Sequence, residues 1–173
     1  FPKGTAFPAW GGLPAPPELP VAAVRAFSID DATTTEIDDA FSVTELPDGQ
    51  LRIGIHIAAP ALSITPGSPL DAIARERLST VYMPGRKITM LPDEVIDAFS
   101  LAAGADRPAV SLYVDVTHDG VPVRQETRVE RVPVAANLHL SALSAAFAQP
   151  LPSPDDPPWT PERMSDDAKF ILG

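Results

Sequence analysis

The sequence predicts an α+β fold, a mixed and largely antiparallel β-sheet with flanking helices, from three observations. Leu51, Ile53, Ile55 and Ile57 alternate with Arg52, Gly54, His56 and Ala58, and Val110, Leu112, Val114 and Val116 repeat that period, as strands with one buried face require. Turn signals adjoin both runs, Pro47-Asp48-Gly49 before the first and His118-Asp119-Gly120 after the second, so each pairs with a neighbour as a hairpin. Between the runs, Leu70, Ile73, Ala74, Arg77 and Leu78 keep helical spacing behind Ser68-Pro69, a capping residue followed by a proline suited to the first helical position.

Taken in order, residues 1–20 are a Pro-rich linker: six of the 21 prolines lie there, and proline disfavours both helix and central strand. Val24 to Ile29 and Phe41 to Leu46 are strand-like, with an acid-rich loop from Asp30 to Asp39 between them. The strand from Leu51 to Ala58 pairs back on the second of these, and the helix opened by Pro69 has Asp71 in its first turn, where the helix dipole favours a carboxylate. Val81 to Met83 and Lys87 to Met90 flank a Pro84-Gly85 turn, and Pro92-Asp93-Glu94 opens a short helix through Asp97. The second hairpin returns over Val121 to Val132, and Leu140 to Phe147 is helical. A folded body over residues 21–149 results, followed by a Pro-rich connector at 150–161 and the start of a helix at 162–173 that has no partner for its apolar Phe170-Ile171-Leu172 end.

Composition narrows the chemistry. With no cysteine, the chain has no disulfide, no thiolate nucleophile and no Cys-ligated zinc; only oxygen and imidazole ligands remain, which suits hard cations. No apolar run approaches the roughly 18 to 20 residues of a membrane span, and no secretory signal is visible, so a soluble, cytoplasmic protein is expected. The net charge of −10 argues against a polyanionic partner until its distribution is considered. Asp30, Asp31, Glu36, Asp38 and Asp39 crowd Ser28 to Asp39 without a base, whereas Arg75, Arg77, Arg86 and Lys87 face the single acid Glu76 between Ala72 and Pro92. An acidic pocket beside a basic stretch suits a metal-dependent enzyme acting on phosphates. On charge alone, two ordinary solvated faces are the favoured reading.

The informative run is Ser28-Ile29-Asp30-Asp31-Ala32-Thr33-Thr34-Thr35-Glu36-Ile37-Asp38-Asp39-Ala40-Phe41. Asp30, Glu36, Asp38 and Asp39 lie in a loop whose ends are held by strands, so their carboxylates can meet at one point, and so many like charges in one place need a cation. Magnesium, or manganese, would hold them ionised and support phosphodiester hydrolysis. An EF-hand is excluded, because counting from Asp30 the glycine position is Thr35 and the twelfth residue is Phe41. An acidic surface turn is the commonest source of such a cluster and stays open on these residues alone.

That run resembles the metal-binding signature of the RNB catalytic domain of the RNase II and RNase R exoribonucleases. Further segments resemble the family in the same order: Ile55-His56-Ile57-Ala58-Ala59, Pro66-Gly67-Ser68-Pro69-Leu70-Asp71, Ser79-Thr80-Val81-Tyr82-Met83-Pro84, Met90-Leu91-Pro92, and Ser100-Leu101 with Arg107. The resemblance covers Ser28 to Arg107 and implies the N-terminal half of such a domain.

Its implications are specific. It implies a magnesium-dependent 3′-to-5′ exoribonuclease that takes single-stranded RNA processively to 5′-monophosphates. Asp30 and Asp39 would be leading metal ligands and Asp38 catalytically critical, while Glu36 stands where many relatives have Asp, leaving coordination and support both open. Ala59 replaces a common acid. Tyr82 matches the family's base-stacking tyrosine, a role that asks only for a π face. Arg75, Arg77, Arg86 and Lys87 are candidates for RNA phosphates, and His56 is expected to be packed or hydrogen-bonded rather than a ligand. The second half of the domain and an S1 barrel are expected partners, so the chain is read as a fragment with little activity alone. A catalytically weak RNA-binding or scaffold relative is the alternative.

Overall fold

Hairpin pairing explains most of the sheet, and one long strand explains its closure. In this computed structural model, which describes residues 5–147, the barrel strands are β1 (Ala26–Asp30), β2 (Asp39–Glu45), β3 (Leu51–Ala58), β6 (Asp106–Val116) and β7 (Pro122–His139). The remaining elements are α1 (Pro69–Arg77), the two-stranded β4 (Val81–Met83) and β5 (Arg86–Ile88), α2 (Asp93–Phe99) and α3 (Leu140–Phe147). β2, β3, β6 and β7 pair antiparallel in succession. The far end of β7 then runs parallel to β1, Ala26 beside Val134 and Asp30 beside His139, and closes the barrel. The sheet is therefore mixed and largely antiparallel, as expected.

The second hairpin is longer than the expected alternation from Val110 to Val116 and return over Val121 to Val132. β6 begins at Asp106 and β7 continues to His139, although Pro108 and Pro133 lie within them. Both sit close to one barrel rim, where Pro108 keeps its carbonyl in use by accepting from the Ala59 N–H at 3.2 Å. A proline removes a donor but holds an extended φ, so a ladder can continue through it near its end.

Three apolar clusters fill the described residues. One, of Ala26, Ile37, Ala40, Leu101, Ala109, Val132 and Val134, lies at the rim that carries the acid loop. Phe27, Leu138 and Leu143 join β1 and β7 to α3. Leu70, Val95 and Phe99 join α1 to α2, and Trp10 and Leu13 of the Pro-rich start pack onto them. That start forms no helix or strand over residues 5–20, as its prolines predict, and it is also fastened: Arg77 donates to the carbonyls of Thr5 and Ala6 and lies 3.8 Å from the centre of the Phe7 ring. The anticipated connector at 150–161 and the helix after it lie outside the described residues. No described helix is long and apolar enough to cross a membrane.

The barrel interior is partly polar. His56 is buried and bridges two buried serines, Nε2 to Ser42 Oγ at 2.9 Å and Nδ1 to Ser111 Oγ at 2.8 Å, with its ring edge-on to Tyr113. It is packed and hydrogen-bonded, as expected. Tyr113 donates its hydroxyl to the buried Glu130, and burial followed by that carboxylate pushes the phenol well above its ordinary range.

Candidate active site

The acid run is positioned by an apolar residue within it, Ile37. Ile37 is buried in the rim cluster, its N–H donates to Ser100 Oγ at 3.0 Å, and its carbonyl accepts from the Leu101 N–H at 2.8 Å. Because successive side chains of an extended segment point to opposite sides, burying Ile37 turns Glu36 and Asp38 the other way, into an open cleft. Asp38 is tied down through its carbonyl, which accepts from the Ala58 N–H at 2.8 Å, and Asp39 starts β2 opposite Ile57. Asp30 ends β1, so the strand ends on either side of the loop bring Asp30, Asp38 and Asp39 to the same rim.

The cleft beside them has a volume of about 370 Å³. Glu36 and Asp38 supply its acidic side, Met90, Leu91, Val95 and Phe99 an apolar side, and Tyr82 stands among its lining residues, 69% exposed. Asp30 and Asp39 do not line it, and neither do Arg75, Arg77, Arg86 or Lys87. Desolvation by the cleft walls raises the pKa of Asp38 above the usual carboxylate range, and Glu36, Asp39 and Asp30 raise it further, with Lys87 opposing them. All four acids therefore share one field.

Electrostatic company is not yet a cage. Among the described residues, no three acidic or imidazole side chains are arranged around one ion-sized point. The donor set nevertheless fits a hard cation in kind, being wholly carboxylate, and Asp30 Oδ2 is buried with no hydrogen-bond partner. An orphaned carboxylate oxygen beside Asp38 is what a cation at this rim would satisfy. Glu36 is differently employed: Oε2 accepts from Thr80 Oγ1 at 2.7 Å and Oε1 from Lys87 Nζ at 2.6 Å.

The bases also divide. Arg77 is committed to the carbonyl of Thr89 as well as to the Pro-rich start, and Lys87 to Glu36 and Thr35. Arg75 forms an exposed pair with Asp71, and Arg86 projects into solvent. Residue-type reasoning did not single out Thr80 and Ser100 as parts of the site, because a hydroxyl that orients an acid has no spacing signature of its own. Their only signal was membership of Ser79-Thr80-Val81-Tyr82 and Ser100-Leu101.

The RNB domain family matches residues 21–166. The chain belongs to the RNB domain family. It is similar to DIS3-like exonuclease 2 of Arabidopsis thaliana, 44% identical over 94 residues, and equally to a protein of the same plant described as an inactive exonuclease. Exoribonuclease 2 of Vibrio cholerae is 40% identical over 102 residues. Those matches cover 54% to 58% of this RNB chain but only 9% to 15% of the relatives, so the chain spans a small part of their length. Among solved structures, Mycoplasma genitalium RNase R in complex with ribose-methylated single-stranded RNA superposes with a TM-score of 0.69 at 18% identity, over 80% of this chain and 22% of that one. The yeast pseudonuclease Ssd1 superposes with a TM-score of 0.66 at 24% identity, over 77% of this chain and 16% of that one. At those identities the likeness is one of fold.

Proposed function

We propose that the protein is a 3′-to-5′ exoribonuclease, degrading single-stranded RNA processively to nucleoside 5′-monophosphates in the cytoplasm. The observation that carries this reading is the rim itself: Asp30, Asp38 and Asp39 at converging strand ends, one of their oxygens buried and unpartnered, beside a cleft that presents an exposed tyrosine. Asp30, Asp38 and Asp39 would hold magnesium or manganese, which supplies positive charge at the scissile phosphate and a lowered pKa for the attacking water. Asp38, which lines the cleft, would orient that water and receive its proton. Tyr82 offers a face to the terminal base, and the wall of Met90, Leu91 and Phe99 excludes water beside it. Arg75 and Arg86 are the bases left to meet phosphates farther along the strand, with Arg77 and Lys87 acting through the elements they fasten. The remainder of the catalytic domain and an S1 barrel would complete the RNA path.

A second reading is supported by the inactive plant relative and the yeast pseudonuclease: a module that binds RNA without cleaving it. Asp38→Asn in the intact polypeptide, assayed with magnesium and labelled single-stranded RNA, separates the two. The nuclease reading expects release of monophosphates to fall on the order of a hundredfold or more while RNA affinity persists. Wild-type protein that binds RNA and releases no monophosphate overturns it.

A further inference from the structure

Both oxygens of the Glu36 carboxylate are taken up by one small hairpin. Thr80, which precedes β4, donates to Oε2 and itself accepts from the Met90 N–H at 3.1 Å; Lys87, on β5, donates to Oε1 and to Thr35 Oγ1. The Glu36–Lys87 pair is largely sheltered, with side-chain exposures of 11% and 29%, so water screens it less than a surface pair. β4 and β5 pair only with each other among the described strands, and the hairpin's place over the cleft therefore depends on side-chain contacts. Within it Tyr82 is directly opposite Lys87, and residues opposite one another on an antiparallel pair project from the same face. The ammonium that grips the acid loop and the ring exposed at the cleft thus stand side by side.

We propose that Glu36 is a positioning residue rather than a metal ligand: clasped by Lys87 and Thr80, it holds the Tyr82 hairpin at a fixed distance from Asp30, Asp38 and Asp39. This rests on the reading of Tyr82 as the stacking partner of the terminal base. The clasp sets the spacing between that base and the phosphate to be cut. The longer glutamate arm suits the role, since it reaches Thr80 and Lys87 while its backbone stays beside the buried Ile37. Lys87 accordingly contributes to RNA binding through Tyr82, not by touching phosphate.

The test uses the intact polypeptide and two probes. The first is a single-stranded oligoadenylate with 2-aminopurine at its 3′ end, bound in the Asp38→Asn background so that it survives. Lys87→Met is expected to weaken its binding about tenfold and to reduce the stacking quench, Tyr82→Ala to do the same, and the double variant to be no worse than either. Lys87→Arg, which keeps the charge, should bind within about threefold of its parent, and Thr80→Val should show a milder loss than Lys87→Met. The second probe is Mn²⁺, followed by electron paramagnetic resonance with Asp38 intact, and Glu36→Gln should shift its affinity by no more than about twofold. A tenfold loss of Mn²⁺ affinity in Glu36→Gln, normal oligonucleotide binding in both Lys87→Met and Thr80→Val, or additive losses in the double variant overturns the clasp. If Tyr82→Ala alone leaves binding and quench intact, the stacking assignment fails first and the clasp with it.

Discussion

Gly54 lies on β3 where its missing side chain makes room for a histidine. A Cβ there would stand 2.7 Å from His56 Nε2 and nearer still to Ser42 Oγ, so both members of a buried hydrogen bond would have to move. Gly54→Ala is expected to destabilise the protein by about 3 kcal/mol, read as a lower urea midpoint with an unchanged slope. His56 carries a pH dependence of its own. Burial lowers its pKa from 6.5 to about 4, with Glu130 pulling weakly the other way, so between those values the unfolded chain takes up a proton that the folded protein refuses. Stability from this residue is present above pH 6.5 and is lost as the pH falls toward 4, by about 3 kcal/mol in all. Urea titrations at pH 7 and pH 4.5 should show that fall in the wild type and a much flatter response in His56→Leu. An equal fall in both would assign the acid sensitivity to carboxylates instead. The alternation of β3 set His56 on the face opposite its isoleucines, yet the barrel buries the Gly54 and His56 face and leaves Ile57 46% exposed; the two serine partners of His56 come from strands 14 and 55 residues away, and no local pattern names them.

Helix α1 shows how local signals set an element's start more firmly than its end. Ser68 Oγ accepts from the Asp71 N–H at 3.2 Å, and Asp71 returns a bond to the Gly67 N–H at 2.8 Å, which is the capping that Ser68-Pro69 and Asp71 announced. Its exit is strained. Leu78 adopts φ 66° and ψ −35° while 78% exposed, a backbone conformation that costs an L-residue with a side chain but not glycine. Leu78→Gly should raise stability by about 1 kcal/mol, visible as a melting temperature a few degrees higher, because little burial is given up. An unchanged or lower melting temperature would show the conformation to be unstrained. The β4–β5 hairpin, by contrast, was legible as two short extended pieces about Pro84-Gly85, but its attachment to Glu36 was not, since that contact spans 44 to 51 residues.

At the scale of the whole molecule, the barrel seam between β1 and β7 decides whether the acids meet. Asn137 sits at that seam, donating to Ser28 Oγ and to the Leu101 carbonyl at 2.9 Å each and accepting from the Ala103 N–H at 2.7 Å. Asn137→Ala removes all three bonds and leaves the buried Ser28 without this donor, so a loss of about 2–3 kcal/mol is expected. Hydrogen exchange should quicken at Phe27 to Ile29 before the β3–β6 ladder is affected; uniform quickening would mean that the seam has no separate stability. The sequence by itself determined the strands, the hairpins, the family resemblance and the identity of the acids, because alternation, turn chemistry and capping act over a few residues. It left the closure of the barrel unread, since the β1–β7 pairing is parallel and joins residues more than a hundred positions apart. Only the tertiary structure decided which acids face the cleft, that Glu36 is held by Lys87 and that Asp30 retains an unpartnered oxygen. Those outcomes depend on which distant surfaces are buried against one another, and burial is a property of the assembled barrel rather than of any segment.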